Sequence, residues 1–204
     1  MQCLFSRDWV DVVFTASAGR GDPHGWVDGT FSLELINVAN AERGADVVVT
    51  FPWTSGQNPY GVPGTDISVT DAASGTPPRL AADHGSMSPW NVRNTLFAWG
   101  VDLKRGVTVR TPAGNADVVP TILALLGIAD AGRIDGRVLT EALASGPDHE
   151  QIAVARRVFT TAVDRLGYAA AIQVSEVAGC RYVDKSWREP RRGAPPPFRR
   201  AERA

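Results

Sequence analysis

Ala45-Asp46-Val47-Val48-Val49-Thr50-Phe51 is the stretch on which the fold turns. Its nearly unbroken apolar, β-branched character predicts a central strand covered on both faces, as in an α/β sheet. Upstream, Trp9-Val10-Asp11-Val12-Val13-Phe14-Thr15 reads as a second buried strand, closed by the glycine-rich loop Ala18–Gly25. Between the two, Phe31, Leu35 and Val38 recur at helical spacing, predicting a short helix over Thr30–Val38.

Downstream, Pro52 to Pro78 shifts to Gly, Pro, Ser, Thr and Asn and reads as a long loop lining a site. Ser88-Pro89-Trp90 through Trp99 then predicts a helix with Pro89 in its first turn, and Val107–Arg110 a short strand. Asn115 or Asp117 can cap the following helix, with Pro120 in its first turn and Gly127 at its end. Asp135-Gly136-Arg137-Val138-Leu139 predicts a turn and a short helix to Ala144. Asp148 caps a longer helix to about Leu166, which Gly167 ends. Ala170–Val177 and Arg181–Asp184, joined through Ala178-Gly179-Cys180, predict a small C-terminal β-hairpin.

The 204 residues suit one α/β domain over 1–187. From Arg188 to Ala204 the chain is rich in Arg and Pro and too poor in apolar residues to offset its ordering entropy, predicting a disordered tail. A net charge of -1 carries no basic excess for nucleic acid. No apolar run approaches the roughly 18 residues of a membrane span. No signal peptide is visible at Met1–Trp9, so the default location is the cytoplasm. Cys3 and Cys180 fit neither a disulfide framework nor a metal spacing.

The chemistry concentrates on His84, in Ala82-Asp83-His84-Gly85-Ser86. Neutral imidazole is the commonest metal ligand, and Gly85 lets the backbone approach closely. An Asp-His-Gly triplet by itself is more often structural than ligating. Asp83 could ligate, orient the imidazole or be a solvated loop acid. His24 reads as an exposed loop residue and His149 as a cap neighbour. Ser86 and Ser88 flank His84 without a nucleophile elbow, and Ser86 reads as a loop hydrogen-bonder. No phosphate-cradling glycine loop or dinucleotide fingerprint occurs. A complete mononuclear site needs three or four ligands, and no second His-bearing cluster supplies them.

Asp83-His84-Gly85-Ser86, the block Arg93–Gly100, and Asn115-Ala-Asp-Val-Val-Pro-Thr-Ile-Leu-Ala-Leu-Leu-Gly-Ile128 followed by Asp135-Gly-Arg-Val-Leu139 together resemble the C-terminal part of the alkaline phosphatase superfamily. The nearest likeness is to its type I phosphodiesterase/nucleotide pyrophosphatase branch, with sulfatases as relatives. The resemblance spans about Ala45 to Leu143 and implies a partial alkaline-phosphatase-like sheet flanked by helices. It further implies that His84 is a ligand to one of two zinc ions acting on a small phosphate ester. The family's N-terminal Asp, its Ser/Thr nucleophile, its Asp-x-x-x-His pair and its other Asp-His pair have no counterpart here. Where relatives tend to read Gly-Pro-Asp-Phe, this chain has Gly100-Val101-Asp102-Leu103. The expectation is therefore a fragment-like member of that hydrolase class, inactive unless a missing lobe completes it. The alternative is a non-enzymatic folded remnant or binding domain.

Overall fold

A computed structural model of the chain describes residues 1–57, 60–66, 86–129 and 134–189. It is a mixed α/β protein with three small sheets and few helices. The chain forms two compact units. One holds Met1–Arg93, Val158–Gln173 and the residues from Val183 on; the other holds Asn94–Arg157 and Val174–Tyr182.

In the first unit, β1 (Val13–Thr15) is the middle strand of three. It pairs in parallel with β2 (Phe31–Ser32), Phe14 opposite Phe31, and antiparallel with β3 (Val47–Val49), Phe14 opposite Val48. Val12, Val13, Phe14 and Phe31 have no exposed surface. The strand expected to be central, Ala45–Phe51, is instead an edge, with Val47 39% exposed. Two apolar strands of similar character compete for the middle, and β1 wins because neighbours flank it on both sides. The helix expected over Thr30–Val38 shrinks to β2 and one 3₁₀ turn, Leu33–Ile36. The Ser32 side chain accepts from the Glu34 N–H to start that turn, and Asn37 at φ 56° ends it.

Part of the expected loop after Pro52 is sheet. β4 (Trp53–Gln57) pairs antiparallel with β5 (Pro63–Asp66). The ring of Trp53 meets that of Trp90 edge-on at 5.8 Å, and its Nε1–H donates to the Ser186 carbonyl at 2.5 Å. Helix α1 is the single turn Gln2–Phe5. Helix α2, capped by Ser88 with Pro89 in its first turn, stops at Val92 instead of running to Trp99. A longer helix would need a face to bury, and Phe97 and Trp99 are 91% and 96% exposed.

The helix expected from Asp148 to Leu166 is replaced by β6 (Ala155–Val163). The run Val158-Phe-Thr-Thr-Ala-Val163 is β-branched and aromatic and fits a pleated surface better than a helix. Asp148 caps only the 3₁₀ turn His149–Gln151. β7 (Tyr168–Val177) lies between β6 and β8 (Cys180–Arg188). The expected hairpin is therefore present and longer than its sequence signal. Its two-residue turn puts Ala178 at φ 49° and Gly179 at φ 82°, the left-handed pair that matches strand twist. Arg188, first residue of the expected tail, is the last of β8; Pro190–Ala204 lie outside the described residues.

In the second unit, α3 (Val118–Leu125) begins and ends where the sequence places it, after a 3₁₀ turn Asn115–Asp117 and before Gly127. A 3₁₀ turn, Thr140–Ala142, follows Asp135–Leu139. Val107–Arg110 forms no strand.

Candidate functional site

His84, with Asp83 and Gly85, lies outside the described residues. The segment that follows is described and is firmly held. The Ser86 Oγ accepts from the Ser88 N–H at 3.1 Å and from the Asn91 side-chain amide at 3.3 Å. The Ser88 Oγ accepts from the Asn91 N–H at 3.1 Å, and the Met87 carbonyl accepts from the Ser186 N–H at 3.0 Å. Ser86 is buried and serves the loop, as its sequence context suggests.

His24 is more than an exposed loop residue. One ring nitrogen, Nδ1, lies 3.1 Å from the Asp22 carboxylate, and Nε2 lies 3.1 Å from the Thr160 carbonyl on β6. The ring thus joins the glycine-rich loop to that strand. Hydrogen bonds from the His24 backbone N–H and ring hold the Asp22 carboxyl below the usual carboxylate range. A cavity of about 650 Å³ opens beside it, lined by Phe5, Asp28, Val163, Asp164 and Arg165 among others. His149 opens its 3₁₀ turn beside the capping Asp148, as expected. Cys3 and Cys180 are both free thiols.

The motif block Asn115–Leu139 closes into one polar lock. Asp117 is fully buried, and its carboxylate accepts from the Gly114 N–H at 2.7 Å and the Arg137 N–H at 2.8 Å. The Tyr182 hydroxyl, at 3.0 and 3.1 Å, donates to the same carboxylate. The Thr121 hydroxyl donates to the Asp117 carbonyl at 2.7 Å and accepts from the Leu139 N–H at 3.0 Å. Arg137 forms a two-pronged ion pair with Glu141 at 2.6 and 2.9 Å, and donates to the Pro112 carbonyl at 2.9 Å and to the Tyr182 hydroxyl oxygen at 3.1 Å. Planar guanidinium matches carboxylate this way, and the bonds offset part of the cost of burying both charges.

Burial pushes the Glu141 carboxyl up, but the Arg137 hydrogen bonds, its own backbone N–H and the charges of Arg137 and Lys104 leave it below its ordinary range. Burial and the Asp117 hydrogen bond raise the Tyr182 phenol. Sequence reading treats Asp117 as a cap only. The pairing it misses is that of Arg137 with Glu141, four residues on, which the non-helical segment 137–139 and the following 3₁₀ turn bring together.

α3 leaves its apolar side uncovered: Val119, Ile122, Leu126 and the following Ile128 are 48–65% exposed. Leu96, Phe97, Trp99 and Val101 are likewise exposed. Among the described residues no group of three or more His, Cys, Asp or Glu side chains could hold a metal ion, so these residues do not fit a zinc centre. No helix among them is long and apolar enough to cross a membrane. No protein-family model, curated protein or solved structure matches the chain.

Proposed function

We propose that this chain corresponds to the C-terminal lobe of a metal-dependent phosphoric (or sulfuric) ester hydrolase. The family in view is the type I phosphodiesterase/nucleotide pyrophosphatase branch of the alkaline phosphatase superfamily. His84 is its one zinc donor, and the nucleophile and remaining ligands belong to a separate lobe. The observation that supports this reading is the uncovered apolar side of α3, held rigid by the Asp117–Arg137 lock of the same motif block. Exposed apolar surface of this kind marks a face that packs against something else. The partial alkaline-phosphatase-like sheet belongs to the same proposal.

Zinc titration of the full chain and of His84→Ala, followed by calorimetry, tests the donor. Weak binding that the variant loses supports the reading; identical behaviour of the two removes His84 from it. Bis-p-nitrophenyl phosphate tests the incompleteness. The chain alone should turn it over barely or not at all. Robust turnover abolished by His84→Ala would show that the chain needs no second lobe. Absence of any zinc interaction, with no thermal shift on adding chelator, favours a non-enzymatic binding domain.

A further inference from the structure

Asp11, just before β1, is 3% exposed. Its Oδ1 accepts the Arg188 backbone N–H at 2.7 Å, while its Oδ2 is buried without a hydrogen-bond partner. Arg188 closes β8, and its guanidinium folds back over the N-terminal segment. It donates to the Phe5 carbonyl at 2.9 Å, the Arg7 carbonyl at 2.8 Å and the Val10 carbonyl at 3.1 Å. The guanidinium lies 5.0 Å over the ring of Tyr168, whose hydroxyl donates to the Asp11 carbonyl at 3.1 Å. One end of β8 is thus tied to residues 5–11 by backbone and side chain of a single arginine.

A neutral carboxyl tolerates an enclosed oxygen without a partner far better than a carboxylate does. Once ionised, Asp11 demands either water or the Arg188 guanidinium, and each demand takes something from the three carbonyls. Among the described residues, the titratable and charged groups that face Asp11 are Arg188 from β8 and Tyr168 from β7. Thr50, whose carbonyl accepts the Asp11 N–H at 2.9 Å, brings no charge.

We propose that Asp11 and Arg188 form a proton-sensitive fastener, holding Phe5–Asp11 to the end of β8 while the carboxyl is neutral and loosening when it ionises. Burial raises the Asp11 carboxyl to about 7, with the Arg188 N–H and charge acting against that rise, so the change falls in the physiological range. The device is independent of the hydrolase reading.

Amide exchange of the full chain, corrected for intrinsic rates and compared at about pH 5.5 and 8.5, tests it. Opening of residues 5–11 and 185–189 should rise about tenfold or more at the higher pH, while β1 stays protected. Asp11→Asn, which mimics the neutral acid, should abolish the rise. An equal rise in the variant, or none in the parent chain, overturns the proposal. Should the variant not fold, a ¹³C titration of the Asp11 side chain in the parent decides. A midpoint above about 6 upholds the fastener, and a lower one ends it.

Discussion

Val12, Val13, Phe14 and Phe31 lie without exposed surface around β1, whereas in the second unit Asp117, Arg137 and Glu141 are buried together with Leu139, Val174 and Val177. In the second unit the large apolar side chains Phe97, Trp99, Ile122 and Leu126 face outward. The first unit is held by non-directional burial, which weakens by degrees as atoms are removed. The second adds to its buried apolar residues a polar network whose members each need their partners, so the loss of one member should cost more than its own bonds.

Mutations can break this contrast. Glu141→Ala should cost about 4 kcal/mol in denaturant unfolding, since it strands the buried Arg137 charge. Joint replacement, Arg137→Met with Glu141→Leu, should restore most of that. If the single and double variants lose equally, the lock is ordinary packing. Phe14→Leu, a change of shape within the apolar core, should cost only about 1–2 kcal/mol by the same measurement. Tyr182→Phe should cost about 1 kcal/mol, and a double-mutant cycle with Asp117→Asn should show the two coupled. Ile122→Ser on the open side of α3 should change stability by no more than about 0.5 kcal/mol in the same measurement.

Acidity sharpens the same comparison. Glu141 is held below its ordinary range, so its contribution is present above the unfolded value near 4.5 and is lost as the pH falls. Asp11 is raised from 3.8 to about 7, so the stability tied to it is full below about 4 and is lost as the pH rises through 7. Regional amide exchange should therefore find the second unit opening first in acid, and the N-terminal segment of the first opening as the pH rises toward 7.

Local signals carried much of this. Helix α3 was readable because Pro120 suits a first turn and Gly127, at φ 64°, follows its last turn. The Asp117 side chain, expected as a cap, makes no capping bond to that helix and accepts from the Gly114 and Arg137 N–H groups instead. The β7–β8 turn was readable because Gly179 permits a left-handed φ. The segment Asp148–Leu166 misled because capping residues announce a start without saying how long the helix continues, and β-branched side chains decided the rest. The order of strands around β1 depends on partners distant in sequence, which no window reveals. The polar lock was hidden for that reason too: Tyr182 lies 65 residues beyond Asp117, outside the motif block. His84, with residues 81–85 undescribed, stays a matter of motif.

Gly136 has a methyl-sized space denied to it, since a side-chain carbon there would run into the carbonyl of Ala116 and the amide of Asp117. The position is closed by volume, its φ being ordinary. The obstacle at residue 136 is backbone, not the movable end of a side chain, so no neighbouring rotamer change can make room for it. Any descendant of this chain that carries alanine there must have rerouted its backbone against Ala116 and Asp117.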